Sequence, residues 1–211
     1  MSYKPSYVKR WKEYFMDWFK YFGFFFKPQM HLNSENSLVL VLDAIESYRN
    51  LFNNTNIQCI NTLISNAEVY SVPIVYTNWI RTKNLLDDQI NKIGHWSEFI
   101  SNESTILKEL PQNKRTMYTI YTDAFANTWD KEKKTMKKNE LIQLIGNRKN
   151  IIICGSWTEA CVLTTARSAA MKNLNPVVLK PATVGHSKAS INSFILIDKL
   201  YGHVTNNVRF L

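Results

Sequence analysis

Cysteine is scarce in this chain. Three unevenly spaced cysteines among 211 residues make no disulfide framework, so a reducing compartment, the cytoplasm, is the expected location. Long apolar runs are missing as well. No stretch is long enough to span a bilayer, and the N-terminal segment lacks the apolar core and small-residue cleavage site of a signal peptide. Acidic residues are outnumbered, 17 against 26 lysines and arginines, for a formal net charge of +9. That excess is scattered, and much of it lies in the run Lys131-Glu132-Lys133-Lys134-Thr135-Met136-Lys137-Lys138, which reads as a solvated helix face. Nucleic-acid binding would place basic residues and aromatics together on one surface. No such motif is present, so no nucleic-acid partner is expected. Internal repeats and interdomain linkers are absent too, and the length suits one domain with an ample core.

The aromatic residues are unevenly spread. Trp11, Tyr14, Phe15, Trp18, Phe19 and Phe22 fall on one stripe of a 3.6-residue period, with Lys9, Lys12, Glu13, Asp17 and Lys20 largely off it. Gly23 and Pro28 end the pattern. Residues 1–30 are thus predicted to be an amphipathic helical extension on a domain spanning 31–211. The stripe packs on that domain or on a second subunit of a homo-oligomer. The alternative is a helix lying on a membrane surface, which Glu13 and Asp17 disfavour by diluting the positive charge.

From residue 37 onward, strand and helix signals alternate. Ser37–Asp43 reads as a buried strand ending in a carboxylate, followed by a helix with Ile57, Ile60, Leu63 and Ile64 on one side. Further strands are predicted at Pro73–Trp79, Thr116–Tyr121, Asn150–Cys154, Pro176–Lys180 and Val204–Phe210. Helices are predicted around Ser101–Leu110, over Lys131–Ile145, from Thr158, and over Lys188–Tyr201. The alternation predicts a three-layer α/β/α fold with a mostly parallel, Rossmann-like sheet.

In such a sheet, ligands bind at the carboxyl ends of strands. Those ends are Asp43, Trp79, the Tyr121–Phe125 turn, Ser156–Cys161 and Pro181–His186. The segment Ile151-Ile152-Ile153-Cys154-Gly155-Ser156-Trp157-Thr158-Glu159-Ala160-Cys161-Val162 carries most information. An apolar strand ends at Gly155, Thr158 is placed to cap a helix, and Cys161 falls in the first turn. There the helix dipole and free N–H groups favour a thiolate. Cys161 is a nucleophile on that reading, or an inert packing residue on the other, as Cys154 in the strand and Cys59 in an amphipathic helix are taken to be. Asp43 is likewise either a turn cap or a general base beside a nucleophile.

Together these blocks resemble the isochorismatase-like cysteine hydrolases, which include nicotinamidases and carbamoylsarcosine amidohydrolases. The resemblance rests on Leu38–Asp43, on Asp123-Ala124-Phe125 with Asn127-Thr128, and on the Gly-x-x-Thr-x-x-Cys-Val block at Gly155–Val162. It covers about residues 37–211. It implies that Cys161 is the nucleophile and Asp43 the base. It implies an oxyanion hole made by the N–H groups of Trp157 and Cys161, a cis peptide between Ser156 and Trp157, and a pocket lined by Phe125 and Trp79.

The chain departs from that pattern at several positions. The family's lysine position, six residues before Phe125, holds Thr119. Lys114 and Arg115 lie four or five residues away along the strand, roughly 13 Å or more from the site at ~3.3 Å per residue. The usual Gln two residues after the strand-end Asp is Ile45, and the usual Asp-Ala after the fifth strand is Pro181-Ala182. The Asp-x-His metal motif of nicotinamidases is missing, and only His95 falls in its region, so no metal and no other cofactor is expected. His203 reads as structural, and so does the better placed His186. The resemblance therefore implies metal-independent hydrolysis of a small amide or related C–N bond. A catalytically degenerate member that binds a small molecule or partner is the alternative. The segment 80–100 is the expected source of substrate specificity.

Overall fold

The computed structural model describes residues 29–80 and 104–211. The aromatic helix expected before Pro28, His95, and all of the 80–100 segment except Ile80 lie outside them.

An eight-stranded sheet forms the centre. In chain order its strands are β2 (Ser37–Leu42), β3 (Ile74–Trp79), β4 (Arg115–Thr119), β5 (Thr128–Asp130), β6 (Thr135–Lys137), β7 (Asn150–Ser156), β8 (Asn175–Val184) and β9 (His203–Thr205). In space the order is β6-β5-β4-β3-β2-β7-β8-β9. All neighbours are parallel except β4–β5 and β5–β6. β1 (Met30–Leu32) pairs with β10 (Val208–Phe210) in a separate two-stranded ribbon. Met30, placed by sequence at the end of the extension, is thus already in a strand.

The central strands are apolar throughout because both faces are covered. On one face, α1 (Asn54–Val69) packs Ile57, Ile60, Leu63 and Ile64 against Val39, Val41, Ile152, Cys154 and Val177. On the other face lie α2 (Leu141–Ile145), α3 (Leu163–Met171) and α4 (Ser187–Leu196). There Leu141, Ala166 and Phe194 meet Leu38, Leu40, Leu42, Met117, Ile151 and Ile153. The chain proceeds outward from β2 through β3 to β4, and outward the other way from β7 through β8 to β9. The reversal between β2 and β7 is the switch point of an open α/β sheet, where a crevice forms beyond the carboxyl ends of the two strands.

Three predicted elements differ. Lys131–Ile145 is not one helix but the β5–β6 hairpin followed by the short α2. Asp130 Oδ1 accepts the N–H groups of Glu132 and Lys133 at 3.1 and 3.0 Å, and Lys134 adopts φ +50°. A side-chain-capped turn and a left-handed residue both interrupt a helix there. Ser104–Leu110, expected to be helical, instead runs beside the chain leaving β2: Leu107 N–H donates to Ala44 O at 2.9 Å, and Ile106 bridges Ile45. Its buried Ile106, Leu107 and Leu110 mimic helical spacing while serving an irregular segment. Val204–Phe210 divides into β9 and β10, separated where Thr205 Oγ1 donates to Asn207 O at 3.0 Å.

Candidate active site

Asp43 leaves the carboxyl end of β2 with φ +46°. That left-handed conformation is one Asp tolerates better than most residues. It breaks the strand's alternation and turns the carboxylate over the sheet edge. Asp43 N–H donates to Thr77 O at 3.2 Å and to Thr77 Oγ1 at 3.1 Å, and Ser156 Oγ donates to Asp43 O at 2.8 Å. The backbone is therefore tied to both neighbouring strands. The carboxylate accepts the Thr77 hydroxyl at 2.7 Å, together with the Cys161 thiol and the Trp79 N–H. The residue is 2% exposed. Burial outweighs these donors and pushes its pKa up to about 6.

The turn after β7 supplies the thiol. Gly155 has φ +105°, and a Cβ there would lie 1.9 Å from Leu42 O, so only glycine lets β7 approach β2 this closely. The Ser156–Trp157 peptide is cis. Next comes a π-helical turn, Thr158–Val162, that continues into α3. The Trp157 carbonyl accepts the N–H of Ala160 at 3.0 Å and of Val162 at 3.1 Å, stepping over Cys161. The N–H groups of Trp157 and of Cys161 are directed at the Cys161 sulfur instead. Thr158 was expected to cap this helix. The cap position falls on Trp157, with no side-chain bond capping the helix, and the Thr158 hydroxyl is buried with no partner among the described residues.

The sulfur does not behave as the helix-dipole argument expects. Cys161 is buried, and that burial, with the Asp43 carboxylate beside it, pushes the thiol well above the ordinary cysteine range; the two N–H groups only oppose this. The neutral thiol donating to an ionised Asp43 is the resting arrangement this favours near neutral pH.

The remaining candidates divide. Trp79 serves Asp43 through its backbone, while its indole is buried against Tyr48, ring centroids 6.3 Å apart. Tyr48 also meets Trp157 edge-on at 5.7 Å, and Trp157 in turn meets the His186 ring at 5.0 Å. Thr119 ends β4, buried, paired with Trp79 on one side and Thr128 on the other. It shares Met117's side of the strand, the side on which Cys161 packs. The Asp123–Phe125 turn lies along α3. Thr165 Oγ1 accepts the Ala124 N–H at 3.1 Å, Ser168 Oγ donates to Asp123 at 2.6 Å, and the Phe125 ring faces the Lys172 ammonium at 5.7 Å. Lys114 and Arg115 sit at the opposite end of β4, paired with Glu68 and Glu140. Among the described residues, no three His, Cys, Asp or Glu side chains converge as a metal site requires. No helix among them is long and apolar enough to cross a membrane.

Thr77 and Tyr48 are site residues that the sequence reading missed, and Ser156, read there only as part of the strand-end turn, also ties Asp43 to β7 through its hydroxyl. Thr77 carried one usable signal, a polar side chain two positions before the end of a buried strand. Its pairing with Asp43 depends on β2–β3 register, which one sequence does not display.

By sequence, no curated protein matches the chain. The isochorismatase-domain family matches residues 37–205. Solved structures share the fold. A cysteine hydrolase from Pseudomonas syringae pv. phaseolicola aligns with TM-score 0.66 at 19% identity, over 85% of this chain and 93% of that one. An N-carbamoylsarcosine amidase from Thermoplasma acidophilum gives 0.62 at 15%, over 83% and 96%. An octameric hydrolase of unknown specificity from Escherichia coli gives 0.60 at 16%, over 85% and 79%. With the matched family spanning the sheet from β2 to β9 and both sides of the β2–β7 crevice, this chain belongs to the isochorismatase-domain family.

Proposed function

We propose that the protein is a cysteine hydrolase that cleaves a small amide or related C–N bond. The observation that carries this reading is the buried Asp43–Cys161 pair at the β2–β7 switch point, with two backbone N–H groups aimed at the sulfur. Asp43 takes the thiol proton as the sulfur attacks the carbonyl carbon. The carbonyl oxygen gains the displaced electron pair and faces the N–H groups of Trp157 and Cys161. Collapse of this intermediate breaks the C–N bond, and the proton on Asp43 passes to the leaving nitrogen. Water, losing a proton to Asp43, then cleaves the thioester and frees the thiol. In this scheme Phe125, Trp79 and Thr119 border the substrate.

A second reading has its own support. Burial holds the thiol neutral, and Thr119 places an uncharged group where the resemblance puts a lysine. A site of that kind could bind a small molecule without turning it over. Assay of small primary amides and N-carbamoyl amino acids, with Cys161→Ala as control, decides between the two. Cys161-dependent turnover, raised in Thr119→Lys, supports the hydrolase. Its absence in both backgrounds, with calorimetric binding of the same compounds retained, supports the binding protein.

A further inference from the structure

The π-helical turn leaves the Cys161 N–H free of the Trp157 carbonyl, and something must hold that register. In an ordinary α-turn the Cys161 N–H would be taken by that carbonyl, four residues back. A π-turn holds one extra residue. Beyond it Val162 and Ala166 are locked in the core. Relaxation to α register would therefore rotate Thr158–Ala160 by about 100°, the angle per helical residue.

One side chain opposes that rotation. Glu159 Oε1 accepts the His186 N–H at 2.9 Å, and Oε2 accepts the Ser190 hydroxyl at 3.2 Å. The carboxylate thereby closes the N-terminal end of α4, where a negative charge is favourable. The fit is close: a Cβ on Gly185 would lie 2.1 Å from Glu159 Oε2. Neither β8, which ends at Val184, nor α4, which begins at Ser187, belongs to the nucleophile's own segment.

We infer that Glu159 is a positioning residue: held between Gly185 and α4, it keeps the turn in the register that frees the Cys161 N–H for a developing oxyanion. The inference rests on the reading of Cys161 as a nucleophile, and two probes separate the claims. p-Nitrophenyl acetate acylates a thiolate through an oxyanion; the sulfur bonds to the acetyl carbon and p-nitrophenolate leaves. Iodoacetamide alkylates the same sulfur, expelling iodide, with no oxyanion. Losing one oxyanion donor costs roughly 10²–10³-fold. Glu159→Ala should lower the acylation rate of Cys161 by at least about 30-fold, while alkylation changes by less than about threefold. Glu159→Gln keeps an acceptor for the His186 N–H and should restore most of the acylation rate. Gly185→Ala, whose Cβ would also meet Ser190 Oγ at 2.8 Å and Thr158 N at 3.0 Å, should reproduce the loss of acylation with alkylation again little changed. Ser190→Ala removes only the 3.2 Å bond and should lower the acylation-to-alkylation ratio partially; it carries the test if Glu159→Ala does not fold. An unchanged ratio in a folded variant, or equal losses with both probes, overturns the role of Glu159. A wild-type Cys161 that neither probe modifies overturns the hydrolase reading, and this inference with it.

Discussion

Cys154 and Cys161 are seven residues apart and both buried, yet they occupy different chemistry. Cys154 lies inside β7, packed with Val41 and Ile152, and burial alone raises its pKa. Cys161 lies in the turn that follows, where burial raises its pKa too, but Asp43 and two N–H groups also face it. Burial therefore does not distinguish a packing thiol from a reactive one. A proton acceptor in contact and backbone N–H groups directed at the sulfur do. Both features come from irregular backbone: φ +46° at Asp43, φ +105° at Gly155 and the π-turn.

Four substitutions act on this contrast. Gly155→Ala should have the largest effect on the fold, because it forces a Cβ onto Leu42 O at an unfavourable φ. A loss of about 4 kcal/mol is expected in chemical denaturation, with Asp43 and Cys161 driven apart.

Asp43→Asn acts on stability with a defined pH dependence. The folded carboxyl is raised from 3.8 to about 6. Its contribution is thus intact below pH ~4 and is lost as pH rises through about 6, and at 1.36 kcal/mol per unit the cost is about 3 kcal/mol. Asparagine avoids that cost. The variant should melt higher than wild type at pH 8, match it near pH 4, and lose Cys161 chemistry at both. A melting difference that does not depend on pH would contradict the assigned shift.

Thr77→Val removes the hydroxyl donor 2.7 Å from Asp43. The carboxyl should then rise further, moving the acid limb of the Cys161 pH–rate profile up by roughly one pH unit. Cys154→Ala should give the smallest change in chemistry. Stability falls by about 1–2 kcal/mol for the cavity left in β7, while the acylation rate of Cys161 is unchanged.

Much of the sheet was legible because buried parallel strands read as unbroken apolar runs. Leu38–Leu42 and Ile151–Cys154 announce themselves, and Asp43 and Gly155 mark where they stop. The Gly155–Val162 block then carried the resemblance that singled out Cys161. Local chemistry overrode pattern elsewhere. The lysine run at Lys131–Lys138 reads as a helix face until Asp130 captures two N–H groups and makes a hairpin. The sign of the Cys161 shift was misread because helix-terminus electrostatics is visible in sequence, whereas the depth of burial and the proximity of Asp43 are products of packing. Thr77 and Tyr48 reach the site through strand register and tertiary contact, neither of which one chain spells out.

Iodoacetamide labelling of the folded protein, followed by intact mass and peptide mapping from pH 5 to 9, reads out whether Asp43 activates Cys161. Cys161 should be modified ahead of the half-exposed Cys59 and the core Cys154, with a rate that steps up near pH 6 as Asp43 ionises. That step should vanish in Asp43→Asn. Faster labelling of Cys59, or a Cys161 profile indifferent to Asp43, would contradict it.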